Sequence, residues 1–410
     1  MGGFEAVSGA NSFPRRVIRR MRFGLRRLLL LVPHMFIRRF TRPVPGKVAM
    51  MAHNSLYACN PKYIYEEMKR RDSGRDIVWV VANRSCSPDY PPDAKIVFLG
   101  TIRCLREVYS SSVWIDNGVA FSNDFERRPD QLHIQTMHGS LGIKNIVNGY
   151  RHRKDSGRAG RRSCRRETEL TDYVITNSSF EEGVFRNVFW KNTPMVRLGH
   201  ARTDPLFGRG GRAVSAIRAD IAARYGVGES MRIALFAPTH RPYLSVSDID
   251  FGFERMVKAL TAKFGGEWRL LVRLHRSTTG IRVANSGGNV VDATDYPDMQ
   301  ELMMVADVGI TDYSSWIFDY VVTGRPGFLF APDIDRYEES SGLCYPLEDS
   351  PFPVAYSAAE LFENVAAFDV GMYPQRVKEF LSRMECVDDG HSAERVVDWL
   401  DSLPMKGMHA

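Results

Sequence analysis

Short apolar runs alternate with stretches of helical periodicity along most of the chain. In the first half they predict strands over residues 48–51, 77–81, 96–99, 113–115, 133–137 and 173–176, with helices over 61–71 and 180–189. In the second half they predict strands over residues 233–236, 270–274, 290–291, 308–311 and 327–330. Short buried strands that alternate with helices are typical of parallel sheets covered on both faces. The pattern therefore predicts an α/β fold.

A glycine-rich segment, GRGGRAVS at 208–215, separates the two series of strands. The chain has 410 residues, which is more than a single hydrophobic core supports. We therefore expect two doubly wound domains, 46–207 and 208–410, with a ligand cleft at the carboxyl ends of their strands. Neither GxGxxG after the first strand nor GxxxxGK followed by Ser or Thr occurs, so neither a dinucleotide enzyme nor a P-loop ATPase is indicated.

Residues 1–45 form a strongly basic arm. Ten arginines and no acid lie between residues 11 and 42, whereas the net charge of the whole chain is only +7. Over residues 14–32, apolar residues recur at helical spacing opposite a stripe of arginines, which predicts a basic amphipathic helix that Pro33 stops or kinks. Such a helix suits the surface of an anionic membrane. The alternatives are packing on the protein or a partner, and nucleic-acid binding, which no aromatic interleaving or known motif supports.

Other bulk properties indicate a cytosolic protein without a zinc site. No apolar run is long enough to span a bilayer, and no signal-peptide cleavage site follows the short run before Pro33. The six cysteines form no CxxC pair, which favours reduced thiols over a disulfide framework or a zinc site. Two Asp-x-Asp pairs, at 248–250 and 333–335, are expected to be surface or loop acids.

Polar residues gather where several strands are predicted to end. The first cluster contains Gln135, His138, Gly139 and Ser140, with Lys144 close behind. A histidine beside a glycine is sterically open, and imidazole is the side chain best suited to accept a proton near neutral pH. The alternative is a hydrogen-bonded structural histidine.

Three further clusters lie in the second half. The loops PTHR at 238–241 and RLHR at 273–276 carry guanidinium groups, which bind phosphate oxygens bidentately, although a solvated turn is the alternative for each. The densest cluster, ITDYSS at 310–315, follows a predicted strand and precedes a helix. Ser and Asp cap helix starts, and the free N–H groups of such a start bind phosphate; capping alone is the alternative.

Together these clusters resemble the CDP-glycerol glycerophosphotransferase family, whose members prime or extend teichoic-acid-like polymers. The matching segments are NPKYIY at 60–65, QTMHGS at 135–140, GHARTD at 199–204, APT at 237–239, LH at 274–275, ITDYSS at 310–315, FDY at 318–320 and DIDRY at 333–337. The resemblance implies a GT-B fold, in which two Rossmann-like domains face a cleft. The family commonly has Trp before the first histidine and Thr-Pro after the glycine, where this chain has Met137 and Ser140-Leu141.

The resemblance also implies an activity: glycerol phosphate passes from CDP-glycerol to a hydroxyl of a lipid-linked acceptor in teichoic-acid-like or capsular polymer synthesis, and CMP is released. The first domain would hold the acceptor and the second would bind the CDP donor. His138 would act as the base and His275 would stabilise the pyrophosphate, while Glu301 would bind the ribose. The substrate-binding residues implied are Gly139, Ser140, Lys144, Pro238, Thr239, Arg241, Arg273, Glu301, Thr311, Asp312, Ser314 and Ser315.

No cofactor, metal or nucleic acid is expected. The expected partners are CDP-glycerol, a polyprenyl-diphosphate-linked saccharide or polymer, and the anionic surface at the cytoplasmic face of the cell membrane. A basic insertion at 151–166 either grips the acceptor's phosphates or is a solvated loop. Transfer of ribitol phosphate, transfer of a sugar from a nucleotide sugar, and a noncatalytic membrane-bound assembly scaffold remain alternative functions.

Overall fold

A computed structural model of the protein describes residues 4–6, 31–118, 121, 124–139, 141–142, 144–145, 165–241, 249–275, 278, 281–283 and 288–403. Most of the predicted amphipathic helix over 14–32, Ser140, and all but the last two residues of the insertion at 151–166 lie outside these residues.

The described part of the basic arm consists of strand β1 (Phe4–Ala6) and helix α1 (Leu31–Phe40). Pro33 was predicted to stop or kink the helix; α1 continues through it to Phe40, so Pro33 is not a stop, and the kink stays a prediction. A proline this early in a helix removes no internal N–H bond. Ile37 packs on the apolar core of the first half, and His34 Nδ1 lies 3.0 Å from the Tyr109 hydroxyl. The helices of the described ranges include none that is long and apolar enough to cross a membrane.

The first sheet is seven-stranded and wholly parallel. Its strands are β2 (Val44–Met51), β3 (Ile77–Val81), β4 (Lys95–Phe98), β5 (Ser111–Asp116), β6 (Leu132–Gln135), β7 (Tyr173–Thr176) and β8 (Met195–Arg197), with helices α2 (Cys59–Arg70), α3 (Ile102–Tyr109) and α4 (Ser179–Val188) among them. The spatial order is β4-β3-β2-β5-β6-β7-β8. Val48 and Met50 enter one apolar cluster while Ala49 and Met51 enter another, because successive side chains of β2 point to opposite faces.

The second half repeats this plan. Its elements are α5 (Val214–Tyr225), β9 (Arg232–Phe236), α6 (Phe253–Phe264), β10 (Trp268–Val272), β11 (Ile281–Val283), β12 (Val290–Asp292), α7 (Met299–Val305), β13 (Val308–Thr311), α8 (Trp316–Tyr320), β14 (Gly327–Phe330), α9 (Ile334–Ser340), β15 (Val354–Ala355), α10 (Ala358–Ala367), α11 (Tyr373–Arg383) and α12 (Ser392–Ser402). The parallel six-stranded sheet has the order β12-β10-β9-β13-β14-β15, and β11 pairs antiparallel with β1. Every predicted strand overlaps an observed one, which confirms the α/β fold.

The C-terminal helix α12 returns to the first half of the chain. Ala393, Val396 and Val397 are buried in the core of the first sheet, against α2. The Asp204 carboxylate accepts hydrogen bonds from the backbone N–H groups of Ser392 and Ala393, at 3.0 and 2.7 Å, and so caps the start of α12. The predicted domain boundaries, 46–207 and 208–410, stay a prediction. They place α12 in the second domain, whereas its buried side chains pack on the first sheet.

Candidate active site

A cavity of about 210 Å³ lies between the two halves, at the carboxyl ends of their strands. Its walls from the first half include His53, Asn117, His138 and Arg202, and its walls from the second half include Arg273, Ser314, Ser315 and Asp319. Parallel α/β sheets bind ligands at this edge. The cavity therefore brings together parts of the first, third and fourth polar clusters.

His138 lies in the loop after β6 with its ring open to the cavity. Its Nδ1 is 2.6 Å from the backbone carbonyl oxygen of Asn117. Because a carbonyl oxygen only accepts, Nδ1 carries the hydrogen and Nε2 keeps the lone pair that a general base needs. Desolvation by the surrounding protein, followed by the charge of His53, lowers the pKa of His138 to about 4, although the residue stays exposed at the cavity. The imidazole is therefore neutral at physiological pH.

His53 is a site residue that the sequence analysis missed. Its ring stacks on that of His138, with centroids 4.6 Å apart and an interplanar angle of 19°. The Asn117 side-chain oxygen accepts a hydrogen bond of 2.7 Å from the His53 backbone N–H. Asn117 thus contacts both histidines: its backbone oxygen bonds the His138 ring, and its side-chain oxygen bonds the His53 backbone. His53 is also a polar residue just after a buried strand, β2, so the reasoning that selected His138 could have selected it.

His275 approaches the same space from the second half. Its ring stacks on His240, with centroids 5.2 Å apart. Burial, and then the charges of His240 and His53, lower the pKa of His275 to about 4. His53 and Lys144 both appear among the charges that lower the pKa values of His138 and His275. Both predicted catalytic histidines are therefore within electrostatic range of His53 and Lys144, although His275 itself does not line the cavity.

Ser314 and Ser315 line the cavity immediately before helix α8, whereas the residues before them hold the fold together. The Thr311 hydroxyl donates to the carbonyl oxygen of Ala237 at 2.7 Å. The Asp312 carboxylate accepts from the Thr239 backbone N–H at 2.8 Å. In this cluster the two serines are the candidates for direct contact with a ligand.

Arg241 is engaged by carboxylates in this structure. It is 4% exposed, and its guanidinium bonds Asp333 at 2.8 and 3.0 Å and Asp312 at 2.5 Å. Its predicted role in phosphate binding stays a prediction, but two carboxylates already neutralise its charge. Arg273 differs, because it lines the cavity while its Nη2 donates to the Tyr296 carbonyl oxygen at 3.0 Å.

Glu301 lies in a buried ionic cluster between the halves. One of its oxygens accepts from Lys62 Nζ at 3.2 Å, and the other accepts from the Tyr296 hydroxyl at 2.7 Å and from Arg212 at 2.9 Å. Lys62 also bonds Asp298, at 2.7 Å. The predicted ribose contact of Glu301 stays a prediction; both of its oxygens have protein partners here.

The other predicted residues that the structure describes do not line the cavity. The Gly139 carbonyl oxygen accepts from Arg202 Nη2 at 2.6 Å, and Lys144 forms an isolated antiparallel bridge with Leu343. Thr239 is buried directly after Pro238, and its hydroxyl has no hydrogen-bond partner among the described residues.

One group of side chains in the described ranges has the geometry to hold a metal ion. The candidate ligand atoms of Asp116, His133 and Glu167 lie within 4.8 Å of one another, and all three residues are buried. The Gln135 amide nitrogen donates to Asp116 at 2.9 Å and to Glu167 at 2.7 Å, and so already bridges the two carboxylates. This network fixes β6 just ahead of the His138 loop.

Comparison with known proteins identifies the family. The profile of the family described as CDP-Glycerol:Poly(glycerophosphate) glycerophosphotransferase matches residues 34–401. The chain belongs to this family. Its match begins within α1 and ends within α12, so the helix that returns to the first sheet is part of the glycerophosphotransferase unit.

Two curated glycerophosphotransferase relatives are teichoic acid poly(glycerol phosphate) polymerases. The one from Staphylococcus epidermidis is 27% identical over 83% of this chain and 48% of its own length. The one from Bacillus subtilis is 24% identical over 83% of this chain and 46% of its own length. The chain thus spans about half the length of these relatives.

A structure of a variant of the wall teichoic acid polymerase TagF soaked with CDPG has the same fold. Its TM-score is 0.78 at 23% identity, and the match covers 94% of this chain and 97% of that one. The likeness confirms the GT-B arrangement that the resemblance implied, with two parallel-sheet units facing a cleft.

Proposed function

We propose that the protein transfers glycerol phosphate from CDP-glycerol to a hydroxyl of a lipid-linked acceptor and releases CMP. The observation that carries this proposal is the 2.6 Å contact of His138 Nδ1 with the Asn117 carbonyl oxygen, which leaves Nε2 to accept a proton at a cavity lined on its other side by Ser314, Ser315 and Arg273. The first half would hold the acceptor and the second half the donor.

In the proposed reaction, the acceptor oxygen bonds to the β-phosphorus of CDP-glycerol, and the bond from that phosphorus to the oxygen of CMP breaks. The hydroxyl proton passes to Nε2 of His138. Arg273 and the serines before α8 would hold the phosphate oxygens, since phosphoryl transfer depends mainly on positioning and charge stabilisation. CMP, with a second phosphate pKa of about 6, leaves without strong acid assistance.

The test is CMP release from CDP-glycerol by purified protein with a lipid-linked disaccharide acceptor. We expect acceptor-dependent release that falls by at least about 10²-fold in His138→Ala, because a positioned base contributes about 10²–10⁴-fold. The matched control is His391→Ala, since His391 pairs with Glu394 at the start of α12, away from the cavity. Equal rates in wild type and His138→Ala would contradict the proposal. If the nucleotide is released only from CDP-ribitol or a nucleotide sugar, the fold assignment stands and the proposed donor is wrong.

The proposal includes attachment to an anionic membrane at its cytoplasmic face. Besides the arginines of the arm, α1 supports it by exposing a row of apolar side chains: Val32, Met35, Phe36 and Phe40. These residues recur at spacings of three and four, so they share one face of the helix. Ile37 and His34, on the other side, attach α1 to the body of the protein.

A further inference from the structure

Arg202 connects the two halves directly at the cavity. It lies in the short helix Ala201–Phe207 and is 1% exposed. Its guanidinium bonds the Asp319 carboxylate through Nε at 2.7 Å and through Nη2 at 3.1 Å. The same Nη2 donates to the Gly139 carbonyl oxygen at 2.6 Å. Asp319 belongs to α8, the helix that Ser314 and Ser315 precede.

The loop that carries His138 needs such support, because its backbone is strained. Met137 has φ of +49°, a left-handed conformation that side chains with a Cβ rarely adopt. The Asn60 amide nitrogen donates to the Thr136 and Met137 carbonyl oxygens, at 2.8 and 3.1 Å, on the N-terminal side of His138. Arg202 holds the loop on the C-terminal side, at Gly139.

The position of Arg202 is itself fixed within the first half. Its backbone N–H donates to the Asn60 side-chain oxygen at 3.1 Å. Asn60 therefore bonds both Arg202 and the part of the loop that precedes His138. The fork-shaped contact with Asp319 is the kind that guanidinium groups make and that a lysine cannot reproduce. The chain of contacts therefore runs without a gap from the His138 loop to the helix beside the donor-side serines.

We propose that Arg202 and Asp319 form a positioning pair that fixes the His138 loop against α8, so that the base and the donor phosphate are aligned for reaction. The proposal rests on the function proposed above, and it assigns neither residue a bond to the reacting atoms. A loop displaced by about 1 Å costs on the order of 10²-fold in rate. The donor, bound by other groups, would keep its affinity.

The kinetic test compares Arg202→Lys and Asp319→Asn with wild type. We expect kcat, per mole of folded protein, to fall about 10- to 100-fold in each variant, while the KM for CDP-glycerol changes by less than about threefold. The matched control is Arg127→Lys, because Arg127 also bonds a carboxylate, that of Asp172, and backbone carbonyl oxygens, but lies away from the cavity. Its kcat should not change.

A double mutant separates positioning from a general structural role. If Arg202 acts through His138, adding Arg202→Lys to His138→Ala should reduce the residual rate no further, because the base is already absent. An additive loss in the double mutant, or an unchanged kcat in both single variants, would overturn the proposal. Asp319→Asn decides the kinetic question if Arg202→Lys does not fold.

A second measurement uses no substrate, so it distinguishes failure of this pair from failure of the proposed function. Nitrogen NMR of the His138 imidazole should show the Nδ1–H tautomer in wild type and in Arg127→Lys. In Asp319→Asn the signal should move towards a mixture of tautomers, because the loop no longer holds the ring against the Asn117 carbonyl oxygen. An unchanged His138 spectrum in Asp319→Asn would overturn the pair's role whether or not CDP-glycerol is the donor.

Discussion

At the scale of single residues, the protonation state of His138 has the most direct consequence. Its pKa of about 4 lies below the usual value of 6.5, and a base works only when unprotonated. Activity should therefore be retained at lower pH than an ordinary histidine allows, and be lost as the pH falls through about 4. We expect kcat/KM for CDP-glycerol to be flat from about pH 6 to 8. An acid limb centred at 6.5 or higher would contradict the structure.

His275 has the same lowered pKa, and His53 contributes to both shifts, so the acid limb would report the two imidazoles as a pair. His53→Phe keeps an aromatic ring over His138 and removes the neighbouring positive charge. Because burial is the larger cause of the shift, we expect the acid limb in this variant to move upward only slightly.

The sequence identified the residues that face the cavity better than it identified their partners. His138, Arg273, Ser314 and Ser315 were selected as polar residues at strand ends, and they line the cavity. Arg241 came from the same pattern, but in this structure it is held by Asp312 and Asp333. A strand end places a side chain at the correct edge of the sheet. Whether that side chain faces the ligand or a neighbouring loop depends on residues distant in sequence.

At the scale of elements, helix α2 is joined to the second half by a buried charge. Lys62 lies between Asp298 and Glu301, and all three are nearly inaccessible to solvent. Lys62→Met would leave the buried Asp298 carboxylate without its cation and Glu301 with Arg212 as its remaining cation, which costs about 3–5 kcal/mol. We expect a matching loss in the free energy of unfolding, measured by urea denaturation. Lys69→Met is the control on the same helix, since Lys69 and its partner Asp93 are exposed, and it should leave the transition unchanged.

Two glycines, Gly309 and Gly183, test whether the structure leaves room for an added Cβ atom. A Cβ on Gly309, in β13, would lie 3.0 Å from Ile317 and Tyr320 of α8, so Gly309→Ala should destabilise the fold by about 1–3 kcal/mol. Gly183 lies within α4, where a Cβ would meet nothing within 4 Å. Gly183→Ala should instead stabilise by about 0.5–1 kcal/mol, because alanine favours a helix. Thermal unfolding measures both; equal shifts would contradict the packing.

Within the described ranges, strand prediction missed β1, β8, β11 and β15, which have only two or three residues each. A segment this short seldom shows a pattern, although β12, which has three residues, was found. Pro33 was expected to stop or kink the predicted helix; α1 runs through it, because a proline near a helix start costs no hydrogen bond. For α1 the proline was recognised in the sequence, but its effect depended on its position within the helix.

At the scale of the whole molecule, the return of α12 to the first sheet could not be predicted from local patterns. Val396 and Val397 give the helix an apolar face, but nothing in its sequence says which sheet covers that face. The same limit applies to Lys62 and Arg202, whose partners lie more than a hundred positions away along the chain. The sequence thus predicted residues on each wall of the cleft, but it did not predict the contacts between the halves that bring the two walls together.

The proposed membrane attachment would likewise depend on the whole molecule, because the arm and α1 would have to act on the same surface. Phe36 and Phe40 are 64% and 65% exposed, although apolar rings of this size are usually covered. We expect the protein to co-sediment with vesicles containing anionic lipid and to be released by deletion of residues 1–42, with CDP-glycerol binding retained. Sedimentation should weaken at high salt, since charge attraction is screened.

The contribution of α1 is separable from that of the arginines. Phe36→Asp with Phe40→Asp removes apolar surface and adds charge that an anionic membrane repels, so vesicle binding should fall at low salt as well as at high salt. The matched control places aspartate at two exposed apolar residues elsewhere, Val370 and Met372, with the same change in net charge. Equal losses in the two double variants would mean that net charge alone governs attachment. Unchanged binding in the Phe36 and Phe40 variant would leave attachment to the arginines of the arm, because the aromatic face of α1 would then contribute nothing to it.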